Sequence, residues 1–314
     1  MGHAGAEARG NGGTRGDSEA RGERGTGSGR HETDSAHGHG DLASRPAGLE
    51  RDSRGGLVLV DKERGPSSFA VVRRARDRFG LKAGHAGTLD PLATGLLVCL
   101  VGRSTRLARY LVGLDKRYET TIRLGVRTDT GDAEGEEIER TELPGRAEIE
   151  ALAGEVVLPV PAASAVKIDG ERAYRLHRRG VAVELPLRRS TIHRLEILRL
   201  EPPEVDLALH VSSGTYVRSI ADALGGHCLT LRRTAVGPFR VEDADEQRLL
   251  PPLAAVAHLP GCELDPAGAR LVADGRAVPV EHTLEGLVAL VAAGELVAVA
   301  RAADGLARPE TVLR

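Results

Sequence analysis

Gly84-His85-Ala86-Gly87-Thr88-Leu89-Asp90-Pro91-Leu92-Ala93-Thr94-Gly95-Leu96-Leu97 decides how this chain is read. Before it, an apolar-periodic run over 68–79, stopped by Gly80, predicts a helix opened by a serine cap at Ser67 or Ser68. After it, the unbroken apolar run over 96–101 predicts a buried strand. The stretch between holds three glycines and one proline, so it is a loop with particular backbone demands. One carboxylate, Asp90, stands between Leu89 and Pro91-Leu92. Proline fixes its own φ and pushes the residue before it towards extended geometry, so Asp90 is held stiffly. A stiff acid between apolar walls suits a catalytic carboxylate. A turn whose Asp caps a backbone amide is the plainer reading, and from these residues alone both stand.

Upstream, residues 1–54 are rich in Gly, Arg, Glu, Ser, Asp and His, with Leu42 and Leu49 as the only large apolar side chains after Met1. Such a segment buries too little to offset its ordering entropy, so a disordered tail is expected. His31, His37 and His39 in it offer metal donors, but a solvated low-complexity tail explains them. Order is expected from Gly56, in a strand that ends at Asp61-Lys62.

Downstream, Ser104 is read as opening a helix on which Arg103, Arg106 and Arg109 recur every three residues. That stripe suits either phosphate contact or a solvated face. A strand is expected from Tyr118 to about Val126, then a turn over 129–135 whose acids do not meet calcium-loop spacing. A short helix is expected over 147–154. Residues 170–180, with Arg188 and Arg189 beyond, form the densest basic stretch. Alternating runs over 190–200 and 205–211 predict antiparallel strands. Ser213-Gly214-Thr215-Tyr216-Val217-Arg218 is read as opening a helix to Leu224. Beyond Cys262, Gly-punctuated apolar runs over 284–291 and 296–300 suggest a small β-barrel.

Composition sets limits. Aromatics are only 2%, without Trp, so the core must be aliphatic and each of the four Tyr becomes informative. The net charge of −2 gives no global attraction for nucleic acid, which leaves that reading to local basic patches. Cys99, Cys228 and Cys262 are odd in number and far apart, which gives neither a disulfide framework nor a metal spacing. With no membrane-length apolar stretch and no signal-peptide region, a soluble, cytoplasmic protein is expected.

The pattern Gly-His-x-Gly-x-Leu-Asp-Pro-x-Ala-x-Gly-Leu-Leu closely resembles the active-site loop of bacterial tRNA pseudouridine-55 synthases, the TruB family. The resemblance runs from about Gly55 to Phe239 and more weakly to the end. It implies an α+β fold: a mixed, largely antiparallel sheet flanked by helices in a catalytic domain over 55–261, with a small PUA-like RNA-binding β-barrel over 262–314. It implies isomerisation of uridine to pseudouridine in the T-loop of tRNA, by base flipping and without cofactor or metal, in a monomer.

The resemblance also assigns residues. Asp90 falls on the essential acid. Tyr118, in Asp115-Lys116-Arg117-Tyr118, falls on the active-site tyrosine, although its ring could equally be a core side chain. Gly214-Thr215-Tyr216-Val217-Arg218 supplies a second aromatic, Tyr216, and Arg218 as partner of the acid. Asp132 is the candidate acid that pairs with Arg218, and His85 is a plausible wedge where the base leaves. Leu231 shapes the pocket wall, and Lys62 is placed to reach the site or a phosphate, with a solvated strand end as the equal alternative. The chain departs from the pattern at Glu63, where the family has proline, and at Ala163, where it has tyrosine. A non-catalytic RNA-binding protein on the same scaffold is the alternative these departures allow. A hydrolase using His85 and Asp90 would need a third group, and none is evident.

Overall fold

The computed structural model describes residues 55–313 apart from Ala165, Asp169 and Ala182. The expected tail over 1–54 lies outside the described residues.

The apolar runs become a nine-stranded sheet. In chain order its strands are β1 (Gly56–Lys62), β2 (Ala83–His85), β3 (Thr94–Val101) and β4 (Lys116–Leu124), with a separate hairpin, β5 (Val126–Thr128) and β6 (Glu137–Arg140), set beside it. Then come β7 (Gly154–Pro159), a two-residue ribbon of β8 (Lys167–Ile168) and β9 (Glu171–Arg172), and the long pair β10 (Leu187–Glu201) and β11 (Glu204–Val211). β12 (Gly226–Val236) and β13 (Phe239–Arg240) complete it. The main path runs β1-β3-β12-β4-β11-β10-β7, and β2 and β13 attach to β3 and β12. All pairings in this sheet are antiparallel except one, the two-residue parallel contact of Arg232 with Thr94 and Arg233 with Gly95. This is the mixed, largely antiparallel sheet expected.

Helices α1 (Ser68–Phe79), α2 (Ala108–Val112), α3 (Arg146–Glu150), α4 (Ala173–Arg178) and α5 (Val217–Ala223) flank it. α1 has the caps its sequence promises. Ser67 accepts from the Ala70 amide, and Gly80 closes the helix at φ 65°, a left-handed conformation that glycine adopts without steric cost. The helix expected from Ser104 instead begins as a 3₁₀ turn, Gly102–Leu107, before α2. The helix expected from Ser213 begins later, with Tyr216 as its N-cap residue.

A second sheet follows, of β14 (Gly261–Glu263) and, after α6 (Pro266–Ala273), β15 (Val278–Pro279), β16 (Gly286–Ala292), β17 (Glu295–Ala303) and β18 (Leu306–Val312), in the order β14-β16-β17-β18-β15. Such a curled, small sheet is PUA-like. It shares an apolar cluster with the first: Leu57, Leu59, Val98 and Leu100 pack with Ala289, Val291, Leu296 and Leu313. Two arginines of the stripe, read as either a phosphate contact or a solvated face, make contacts with this sheet. Arg106 donates to the Val312 carbonyl at 2.6 Å, and Arg109 lies 3.7 Å from Glu310.

No helix among the described residues is long and apolar enough to cross a membrane.

Candidate active site

Residues 86–93 leave β2 and enter β3 as a loop fixed from several sides. At its tip, the Ala93 amide donates to the Asp90 carbonyl at 3.1 Å, a turn with Pro91 in the position its fixed φ favours. The Pro91 carbonyl accepts from the Gly65 amide at 2.8 Å and from Lys62 Nζ at 3.3 Å. Ser68, at the start of α1, grips Leu89 twice: its Oγ donates to the carbonyl at 2.8 Å and accepts from the amide at 2.7 Å. Asp90 is therefore carried by backbone that α1, β1 and the loop itself hold in place.

Arg233 adds the strongest restraint. Its side chain is the largest fully buried one, and its partners among the described residues are main-chain carbonyls: Leu96 at 2.8 Å, Gly87 at 3.1 Å and Thr88 at 3.3 Å. Gly95 sits against the Arg233 backbone with φ 97°, and a Cβ there would lie 2.3 Å from the Arg233 carbonyl oxygen, so only glycine fits. Arg232-Arg233 reads as family-like sequence and nothing more. The available signal is strand alternation: Leu231, Arg233 and Ala235 are alternate residues of β12, and a charge inserted into an apolar alternation is a candidate for an interior role.

Arg218, at the start of α5, meets the loop across a cavity. It is 3% exposed, and its Nη2 donates to Asp90 Oδ2 at 2.7 Å and to the Ala163 carbonyl at 2.9 Å. Nη1 donates to the Thr130 carbonyl at 2.7 Å, and Asp132 Oδ2 lies 3.4 Å away. Asp132, itself buried, is held by the Thr130 hydroxyl at 2.8 Å and the Glu134 amide at 3.1 Å. A guanidinium with carboxylates on both sides and two carbonyls in its fork has one orientation available.

The cavity between these parts has a volume of about 290 Å³. Asp90, Tyr118, Tyr216, Arg218 and Leu231 all line it, so five of the sequence-selected residues converge. The other three stand behind the wall: Lys62 under the loop, Asp132 beyond Arg218, and His85 on β2. Burial, then the Arg233 charge, pushes the His85 imidazole below its ordinary value, which favours a neutral ring. Burial likewise lowers Lys62, opposed by Asp90 and aided by Arg233. Burial raises the Tyr216 phenol.

The sequence pointed to neither Lys116 nor Ser164, which also line the cavity. Lys116 is pushed down to about 8 by burial first and the Arg233 charge second, against Asp115. Its Nζ donates to the carbonyls of Val112 and Leu114, at 2.6 and 2.5 Å, and to Ser213 Oγ at 3.2 Å. Ser213 Oγ in turn donates to the Val112 carbonyl at 2.6 Å. Lys116 thus joins the end of α2 to the turn that carries Tyr216 and Arg218.

The basic stretch over 170–180 folds as α4 and its ends. Arg175 and Arg178 lie over the Tyr174 ring, and Arg179 pairs with Glu171 at 2.8 Å. Among the described residues, no group of three or more His, Cys, Asp or Glu is placed to hold a metal ion.

An acid–arginine pair in a cleft of a mixed sheet, faced by two tyrosines, defines a site of the pseudouridine-synthase kind. The solved Cbf5–Nop10–Gar1 complex contains a chain of the same fold, with a TM-score of 0.63 at 25% identity over 83% of this chain and 86% of that one. The model of the TruB family pseudouridylate synthase N-terminal domain matches residues 74–217. A tRNA pseudouridine synthase B of Mycobacterium sp. (strain KMS) is 44% identical over 250 residues, covering 71% of this chain and 84% of the relative. That of Thermobifida fusca (strain YX) is 42% identical over 288 residues, covering 82% and 98%. The chain belongs to the TruB family of pseudouridine synthases, enzymes that isomerise uridine to pseudouridine.

Proposed function

We propose that this enzyme acts on tRNA, isomerising the T-loop uridine that pseudouridine-55 synthases modify, with Asp90 as the catalytic acid. The observation that carries the reading is the 2.7 Å ion pair between Asp90 and Arg218 at the wall of a cavity that both tyrosines line. The relatives' names supply the tRNA. The cavity is of a size for a single base, and a base in a folded loop enters it only by leaving its stack, at a cost of roughly a few kcal/mol.

Each residue then has a task. The Asp90 carboxylate, stiffly presented and paired with Arg218, engages the ribose as the N-glycosidic bond breaks. The freed uracil turns, C5 bonds to the ribose carbon, the C5 proton leaves to solvent and N1 takes up a proton in its place. Atoms balance without oxidant, reductant or water. Tyr118 stacks on the base, an interaction worth about 1–3 kcal/mol, and stands near the departing C5 proton. Tyr216 and Leu231 form the pocket wall. Asp132 orients Arg218, Lys62 supports the loop from beneath, and His85 fills the stack that the base has left. The C-terminal PUA-like sheet adds RNA-binding surface.

The test is tritium release from C5-labelled uridine in an unmodified tRNA transcript. Release is expected from the wild type, and none from Asp90→Asn, which still binds tRNA. A transcript with the single T-loop uridine replaced by cytidine is expected to release nothing from that position. Near-normal release by Asp90→Asn would remove the catalytic role, and release unchanged by the cytidine would remove the T-loop assignment.

A further inference from the structure

Five buried side-chain atoms among the described residues lack a hydrogen-bond partner: His85 Nδ1, Ser164 Oγ, Asp206 Oδ1, His258 Nδ1 and Glu310 Oε2. Four belong to groups with a second polar atom. Asp206 and Glu310 use theirs, accepting from Arg199 at 2.7 Å and from Arg301 at 2.8 Å. Ser164 is different, because the hydroxyl is its whole polar side chain. It is 3% exposed, and it lines the cavity that holds Asp90. An unpaired buried hydroxyl is destabilising, and native structures keep few of them without a reason.

Two backbone carbonyls at Ser164 are engaged. The Tyr174 amide donates to the Ser164 carbonyl at 3.0 Å, and the preceding carbonyl, of Ala163, accepts from Arg218 at 2.9 Å. The residue is therefore anchored to the catalytic arginine while its side chain is left without a bond. The Tyr216 hydroxyl interacts with Ser164 weakly enough for this to be the smallest influence on the phenol, and the pair falls outside hydrogen-bond geometry.

We propose that Ser164 is a base-recognising residue of this cavity, its hydroxyl pairing with a carbonyl of the flipped uracil. The inference rests on the synthase reading above. Ser164 lines the cavity, and a serine hydroxyl changes its direction by rotation about χ1 between staggered wells, without backbone movement. The chemistry of the turn suits a hydroxyl in a fixed place. Rotating detached uracil about the axis through N3 and C6 exchanges N1 with C5, and in the same motion exchanges the C2 carbonyl with the C4 carbonyl. A donor that meets one carbonyl before the turn meets the other after it. Ser164 can thus hold the base in both the N-linked and the C-linked positions, which a group matched to only one of them could not.

The experiment compares Ser164→Ala with the wild type in single-turnover tritium release and in thermal unfolding. The expected result is a loss of roughly tenfold in kcat/KM, the scale of one neutral hydrogen bond, with Tm equal to or above that of the wild type. A group bonded in the free protein would lower Tm when removed, and an orphan does not. Transcripts carrying 2-thiouridine or 4-thiouridine at the target sharpen the test, since sulfur accepts poorly. At least one analogue is expected to slow the wild type markedly and Ser164→Ala by no more than about twofold, because the interaction is already gone. Unchanged kcat/KM in Ser164→Ala would overturn the proposal, as would a lowered Tm or equal penalties from both analogues in both proteins. Absence of any release by the wild type would overturn the synthase reading and this inference with it.

Discussion

The loop over 86–93 and the segment over 160–186 face each other across Arg218, and they are held by opposite means. The loop is fixed by buried groups from distant parts of the chain: Ser68 on Leu89, Lys62 on Pro91, and Arg233 on Gly87, Thr88 and Leu96. The segment has two strands of two residues, a six-residue helix, and a surface ion pair, Arg179–Glu171. Buried bonds to main-chain carbonyls are costly to leave unmade, whereas exposed ion pairs are worth little. The acid is thus fixed by side chains from distant elements, whereas the wall opposite it rests on a few buried apolar side chains, Val160, Ala173 and Leu176, and on local backbone bonds.

Arg233 tests that contrast most severely. Arg233→Met removes the donor from three carbonyls at once, and a loss of about 3–5 kcal/mol in urea unfolding is expected, together with most turnover. Arg233→Lys keeps the charge but not the planar fork, so it is expected to fall between Met and the wild type. A Met variant as stable as the wild type would show that the loop does not depend on this residue. Ser68→Ala comes next. It leaves the Leu89 amide unpaired in a buried place, for an expected loss of about 1–2 kcal/mol and a slower enzyme with unchanged tRNA affinity. A rise in Kd with unaltered rate would place the effect on binding instead.

Lys116 offers a pH-dependent version of the same test. Its folded pKa lies below its unfolded one, so between about 8 and the ordinary lysine value the unfolded chain binds more protons. Its contribution therefore raises stability as pH climbs through that window. The stability–pH curves of wild type and Lys116→Met should diverge there, with the variant's the flatter, as denaturant titrations at pH 7.5 and 10 would report. Parallel curves would mean that Lys116 is not depressed. The smallest effect is expected on the opposite wall: Arg179→Ala should change stability by less than about 0.5 kcal/mol. A larger cost would mean that the 160–186 segment is held by its surface pairs after all.

Much of this was legible in the chain. The fold followed from apolar periodicities whose partners are local, such as the 190–211 hairpin, and from a loop motif long enough to carry a family resemblance. The convergence of Asp90, Tyr118, Tyr216, Arg218 and Leu231 on one cavity was also foreseeable, because the motif residues came as a set. Arg106 and Arg109 were not legible. Their spacing fits a phosphate stripe or a solvated face, and they contact β18, some two hundred positions later in the chain. Ser164 gave no signal, since nothing in a serine's neighbours in sequence reveals whether its hydroxyl will find a partner. Lys62 reads either as reaching the site or as a solvated strand end; it is buried, because the loop folds over it.

The short parallel seam between β3 and β12 has a consequence for the birth of the enzyme. Arg233 and the Leu96 carbonyl it grips stand 137 positions apart. During synthesis the catalytic loop emerges early and must wait for most of the sheet to be made before its clamp exists. A truncated or stalled nascent chain that ends short of β12 therefore carries Asp90, Tyr118 and Tyr216 but lacks the clamp that fixes the 86–93 loop.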